Sequence, residues 1–334
     1  GPGRRSSTPP NSVHKLRPGD IDVIAALGDS ISSGSAILAR NVSGIMVEDK
    51  GLTFNIGGDG NWRQFLTVPN ILKEFNPNLY GYSYGNGPSY SENSRLNMAE
   101  PVTASGDVLR QAKNLYDRMK ADRNVDMQNH WKLLTLLIGT NDVCSRMCFH
   151  NSTKYITDHK QHVIEALRFV RDNIPKTLVN YMPLVNLKEY YGPKRKFSLT
   201  CGALNSVYCP CFLLLNKAYK KRYFDFMQQW VDVEYEAVNR PEFHSKEDFD
   251  VVIQPFIATI QLPRLKNGMI DPNYLAFDCF HFSQKGQASL ANALWNSLLQ
   301  PEGEKHSTWL DPFENFECPT EQRPYIATTK NNQN

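Results

Sequence analysis

Ser30, Asn141, Asp278 and His281 are the residues of this chain whose types and surroundings can combine into acyl-transfer chemistry. A serine hydroxyl is a poor nucleophile at neutral pH and needs a positioned base. Ser30 ends the run Val23-Ile24-Ala25-Ala26-Leu27-Gly28-Asp29-Ser30, where a short apolar stretch breaks at a glycine and delivers an acid, then the serine. His281 is the candidate base, with Asp278 three residues before it in Asp278-Cys279-Phe280-His281. A carboxylate at that spacing can share one loop with the imidazole. It can hold Nδ1–H and leave Nε2 to take the serine proton. Asn141, in Gly139-Thr140-Asn141-Asp142, offers an amide that can donate to a tetrahedral oxyanion, a contribution of roughly 3 to 4 kcal/mol. Asp142 reads as ordering its loop by hydrogen bonds. Each residue alone has a plainer reading, Asn141 as a turn cap and His281 as an ordinary core or surface histidine.

Chemistry of this kind needs a scaffold that delivers the four residues to one place. Val23 to Leu27 reads as a buried strand, and the continuous apolar run Leu133 to Ile138 as a parallel neighbour. Leu178 to Met182 and Val251 to Ile253 are further strands. Val108, Ala112, Leu115 and Met119 fall on one helical face, and Val163, Leu167 and Val170 on another that stops before Pro175. Tyr219, Tyr223, Phe226, Trp230, Val233 and Ala237 form a helical stripe read as core. Ala291, Leu294, Trp295 and Leu298 mark a closing helix behind a Ser283 cap. Strands alternating with helices predict an α/β fold with a central, mainly parallel sheet covered on both faces. Sites in such sheets lie at the carboxyl ends of the strands, where Ser30 and Asn141 would both emerge. Ser32 to Ser94, rich in Gly, Asn and Tyr, reads as an insertion over that edge. Residues 19–318 read as one domain, 1–18 as a flexible N-terminal segment and 319–334 as a flexible tail, with Cys318 available to tether it.

The chain of 334 residues is 41% hydrophobic and 11% aromatic, enough for a sizeable core. A net charge of +3 is too mild to point to nucleic acid. Lys194-Arg195-Lys196 and Lys220-Lys221-Arg222 read as solvated faces, with weak attraction to an anionic membrane surface as the alternative. No apolar run approaches the ~20 residues a membrane span requires. Gly1-Pro2-Gly3 reads as the remnant of a cleaved tag, which leaves room for a signal peptide or membrane anchor outside this sequence.

Seven cysteines favour an oxidising compartment. Cys144 and Cys148 lie close together, Cys201, Cys209 and Cys211 form a second group, and Cys279 and Cys318 stand apart. A zinc site at the second group would lack paired C-x-x-C spacing and nearby histidines, so disulfides are the better reading, with one thiol left over. The sequons at Asn41 and Asn151 agree with a secreted, extracellular or luminal glycoprotein. Gly81-Tyr82-Ser83-Tyr84-Gly85 matches a G-x-S-x-G elbow, but Asn76-Pro77-Asn78 before it and Asn86-Gly87-Pro88 after it read as loop rather than strand and helix.

The blocks Gly28-Asp29-Ser30, Gly139-Thr140-Asn141-Asp142 and Asp278-Cys279-Phe280-His281 occur in the order found in GDSL, or SGNH, hydrolases, which the chain resembles over roughly residues 20 to 318. Asn61 to Pro77 and Leu96 to Pro101 are similar to the animal phospholipase B branch of that family. The resemblance implies a three-layer α/β/α sandwich with Ser30 as nucleophile and Asp278 and His281 completing a triad. It assigns Asn141 and the Ser30 N–H to the oxyanion hole. It further implies a fatty acyl ester of a glycerophospholipid or lysophospholipid as substrate, with no cofactor or metal. The alternatives are an esterase for other lipid, small or carbohydrate esters, and a catalytically dead lipid-binding protein on the same scaffold. One position departs from the family pattern. Val102 stands where a glycine usually offers a further backbone N–H to the oxyanion, and its side chain is expected to narrow the acyl site.

Overall fold

A computed structural model describes residues 1–149, 151–192, 197–214, 217–305 and 311–331. The basic run Lys194-Arg195-Lys196 lies outside the described residues. Four strands, β1 (Ile21–Gly28), β2 (Trp131–Leu137), β3 (Thr177–Met182) and β4 (Phe249–Ile253), pair in the order β1-β2-β3-β4. All three pairings are parallel. Successive side chains of a strand point to opposite faces, and β1 divides accordingly. Val23, Ala25 and Leu27 join the core formed with Val108, Ala112, Leu115 and Met119 of helix Val108–Ala121 and Val163, Leu167 and Val170 of helix Ser152–Asn173. Ile24 and Ala26 join the opposite core, with Ala291, Leu294 and Leu298 of helix Gln284–Leu299. The sheet is therefore sandwiched between helices, three layers deep.

The helical patterns emerge as read, with one exception. Ser283 caps the closing helix by accepting from Gly286 N at 3.2 Å. In helix Lys217–Val238, Tyr223, Trp230 and Ala237 are buried but Tyr219 is 59% exposed, so the stripe begins one turn later than its sequence suggests. Lys221 and Arg222 lie on the solvent side of the same helix.

The segment after Ser32 does not simply cap the carboxyl edge. It runs along the free side of β1, where Ile24 N donates to Tyr80 O and Ala26 N to Leu96 O, with bridges Val23↔Tyr80 and Ala26↔Asn97. An outer strand carries a row of unpaired backbone groups, and this stretch satisfies them.

Both terminal segments, read as flexible, make defined contacts. Val13 and Leu16 are fully buried, and Val13 N donates to Glu247 O. Ile326 is also fully buried, its N–H on Leu16 O, while Ala327 N reaches Leu298 O. A few apolar side chains spaced through polar sequence suffice to seat each segment. Cys318 is not the tether: its thiol is free and exposed. The Trp295 indole donating to Glu317 O at 2.8 Å, and Glu317 N donating to Asn296 Oδ1 at 2.9 Å, hold that stretch instead.

Among the described residues the other six cysteines pair as Cys144–Cys209, Cys148–Cys211 and Cys201–Cys279, which removes the zinc reading. No described helix is long and apolar enough to cross a membrane.

Candidate active site

β1 and β2 end in register, Gly28 opposite Leu137, so the residues that follow each strand emerge side by side. Gly28 must be glycine, because a Cβ there would lie 2.5 Å from the Leu137 carbonyl oxygen. Asp29 turns the chain, its carboxylate accepting from Ile31 N at 3.0 Å and capping the one-turn helix Ser30–Ser33. The turn is braced from behind by Asn97 Nδ2, which donates to Ser32 O, and Asn55 Nδ2, which donates to Ser32 Oγ.

Ser30 Oγ lies 2.8 Å from His281 Nε2, and His281 Nδ1 lies 2.6 Å from Asp278 Oδ2. A carboxylate only accepts, so the imidazole proton belongs on Nδ1 and Nε2 is free to accept from the serine hydroxyl. The second oxygen of Asp278 accepts from the N–H groups of Phe280 and His281, both at 3.0 Å. Burial pushes the Asp278 carboxyl up. The hydrogen bonds from His281 and the two backbone groups outweigh it and hold the group below the ordinary carboxylate range. All three side chains are buried, Asp278 completely.

Asn141 follows β2 as expected, but its amide is already committed. Nδ2 donates to Pro101 O at 3.1 Å and to Thr103 O at 2.8 Å, which uses both of its protons. In this arrangement Asn141 has no proton left for an oxyanion. Val102, between those two carbonyls, has an ordinary negative φ, and its side chain is 79% exposed instead of filling the site. The N–H groups of Ser30 and Val102 make no hydrogen bond among the described residues. Asp142 orders the neighbouring loop, accepting from Ser105 N at 2.8 Å and from Ser105 Oγ at 3.0 Å. Gln111 ties strand to loop by bonding both backbone groups of Gly28 and the Thr103 hydroxyl.

The loop carrying Asp278 and His281 is buttressed by helix Leu199–Tyr208, which periodicity did not reveal. Cys201 is bonded to Cys279, Asn205 Nδ2 donates to Cys279 O at 2.8 Å, and Tyr208 stacks on Phe280 and lies at right angles to the His281 ring. Cys279 has φ +58°, a backbone that a non-glycine residue adopts only under such constraint. The only signal for this brace in the sequence was a cysteine between Asp278 and His281.

Ser83 is a different case. It is fully buried, and its hydroxyl donates to Lys50 O at 2.8 Å in a loop flanked by turns. It has no place in this constellation.

The sequence model of the GDSL-like lipase/acylhydrolase family matches residues 24–294. Two similar proteins are the membrane-associated phospholipase B1 of Homo sapiens, 37% identical, and that of Mus musculus, 36% identical. Each similarity covers 98% of this chain but only 23% and 22% of the respective relatives, so the chain spans less than a quarter of their length. Among solved structures, the psychrotrophic esterase EstA from Pseudoalteromonas sp. is 11% identical at a TM-score of 0.38, over 83% of this chain and 96% of that one, a distant likeness. With the family match running from β1 into the closing helix, across the residues that carry Ser30, Asn141, Asp278 and His281, the chain belongs to the GDSL-like lipase/acylhydrolase family.

Proposed function

We propose that this chain hydrolyses fatty acyl esters of glycerophospholipids and lysophospholipids through an acyl-enzyme on Ser30. The observation that carries the chemistry is the continuous hydrogen-bonded path Ser30 Oγ–His281 Nε2, His281 Nδ1–Asp278 Oδ2. Ser30 attacks the acyl carbonyl as His281 takes its proton, and Asp278 stabilises the imidazolium. The unpaired N–H groups of Ser30 and Val102 receive the oxyanion. Asn141 holds the Val102 peptide in place. His281 then protonates the leaving alcohol, and water regenerates Ser30 by the same steps with roles exchanged.

The choice of a phospholipid ester rests on the membrane-associated phospholipase B1 relatives. Three disulfides support an extracellular or luminal location, and the exposure of Asn41 and Asn151 supports glycosylation at both sequons. Peripheral contact with a membrane surface follows from a substrate that resides there.

The test is mass-spectrometric product analysis over a panel of phospholipid, lysophospholipid, neutral lipid and carbohydrate esters. Wild type should release fatty acid from the phospholipids. Ser30→Ala should lose that release and its labelling by a fluorophosphonate probe, and Ser83→Ala should keep both. Asp278→Asn should lose about 10⁴-fold in kcat. Labelling that survives Ser30→Ala, or hydrolysis confined to carbohydrate esters, would overturn the reading.

A further inference from the structure

A cavity of about 680 Å³ has one wall formed by Ile37 to Arg40, a few residues after Ser30 in the chain, and another formed by the start of the closing helix. Its lining is of two kinds. Ile37, Leu52 and Phe65 are apolar, while Arg40 and Lys285 are cationic, and no carboxylate lines it. Arg40 is exposed and has no hydrogen bond or ion pair among the described residues. Lys285 sits 4.1 Å over the ring of Tyr274, and a hydrogen bond with the Tyr274 hydroxyl, then the charges of Asp311 and Asp271, favour its charged form. Two cations with one left unpaired, facing an apolar wall, make a site for an anion attached to something greasy.

The cavity is also close to the chemistry. Ser283 lines it and is two residues beyond His281, a stretch that spans at most about 7 Å of chain. His281 Nε2 in turn lies 2.8 Å from Ser30 Oγ, so this wall of the cavity is joined to the nucleophile through three consecutive residues, His281 to Ser283.

We propose that this cavity is a subsite for the phosphate of an amphiphilic ester, with Arg40 and Lys285 holding the phosphodiester and Ile37, Leu52 and Phe65 receiving the adjoining apolar part. The inference rests on the phospholipid reading of the active site and adds the residues that select for the phosphate. Phosphate could in principle come from the lipid or from solution, and the two sources are separable.

The experiment compares a lysophosphatidylglycerol with a monoacylglycerol of the same acyl chain, both below their aggregation concentrations. The enzymes are wild type and Arg40→Gln/Lys285→Gln. The double variant should raise KM for the lysophospholipid about tenfold and leave its kcat, and both constants for the monoacylglycerol, unchanged. Added salt should raise the wild-type KM for the lysophospholipid and affect the variant less. Unchanged monoacylglycerol kinetics show that the variant is folded. An equal KM change for both esters, or none for either, would overturn the subsite while leaving the functional reading intact. Inhibition by inorganic phosphate that the double variant abolishes, with lysophospholipid KM unchanged, would overturn the lipid as the source. A wild type that cleaves the monoacylglycerol but no phospholipid would overturn both readings.

Discussion

Asn141 straddles Val102, donating to the carbonyl just before it at 3.1 Å and to the carbonyl just after it at 2.8 Å. The amide thus fixes the peptide whose N–H is free to meet an oxyanion. Asn141→Ala should release that loop and lower kcat by about 10²- to 10³-fold, the usual effect of losing an oxyanion donor. Asn141→Asp should do no better, because a carboxylate cannot donate to Pro101 O or Thr103 O. Steady-state kinetics on a soluble ester give both values. A variant of either kind with wild-type kcat would separate Asn141 from the oxyanion site altogether.

Val102 itself should matter little as a side chain. Its φ is one that any residue adopts, and it points into solvent. Val102→Gly is therefore expected to change kcat by less than about threefold and stability by less than about 1 kcal/mol, the backbone-entropy cost of glycine. Kinetics over a series of acyl lengths check this. A gain confined to bulky acyl chains would mean that the valine narrows the acyl site after all.

Asp29 is completely buried, and burial raises its carboxyl from 3.8 to about 6, against the lowering effect of the Ile31 N–H and His281. At low pH the carboxyl is neutral in both folded and unfolded chains, and its stabilising effect is complete. Between pH 3.8 and about 6 the unfolded chain ionises first, so this contribution declines as pH rises and is fully lost above about pH 6. Asn keeps the oxygen that caps Ile31 without the charge. Asp29→Asn should therefore gain stability relative to wild type by about 2 kcal/mol between pH 4 and pH 7. Denaturant unfolding of both proteins at the two pH values measures it, and a pH-independent difference would refute it.

Glu234 lies behind the site, where it accepts from Tyr181 OH at 3.0 Å and Leu184 N at 2.9 Å, 3.2 Å from His159 Nε2. Burial raises its carboxyl to about 8 and lowers the His159 imidazole to about 3, so both are neutral at pH 7. Glu234→Gln should cost no more than about 1 kcal/mol there. Glu234→Ala, which strands three buried polar groups, should cost about 3 kcal/mol or more. Because the folded-state value is raised, wild type loses stability as pH rises from 4.5 to about 8. The Gln variant should thus fare better against wild type at pH 9 than at pH 5, and thermal unfolding at the two pH values decides.

The strands, and the positions of Ser30 and Asn141 at their ends, were legible because local pattern determines them. A buried parallel strand must be a short apolar run, and residues just past its end must emerge at the carboxyl edge. Val23–Leu27 and Leu133–Ile138 obey this, and Ser30 and Asn141 follow. What stayed hidden depends on long-range partners. Helix Leu199–Tyr208 owes its place to Cys201 and Tyr208 meeting Cys279 and Phe280, contacts that no periodicity encodes. The pairing of six cysteines has 15 solutions and the sequence ranks none of them. The commitment of Asn141 to Pro101 O and Thr103 O joins residues 40 and 38 positions apart, a meeting that residue type alone does not specify.

The Cys201–Cys279 disulfide joins that helix to the loop between Asp278 and His281, across 78 residues of sequence. Cross-links closing loops of this size stabilise typically by about 2 to 4 kcal/mol, so Cys201→Ser/Cys279→Ser should lose about that much. Its distinctive effect should be on catalysis. With the disulfide gone, the covalent tie between helix and loop is lost, and the helix holds the loop through non-covalent contacts such as the Asn205 hydrogen bond and the Tyr208 stack. Misplacing His281 by about 1 Å can cost 10²-fold in rate. Cys148→Ser/Cys211→Ser is the control: it removes a cross-link across 63 residues but does not touch that loop. Both double variants should lose comparable stability, and only the first should lose kcat by about tenfold or more at a temperature where both remain folded. Equal kcat losses in the two would mean that Cys201–Cys279 contributes to stability alone.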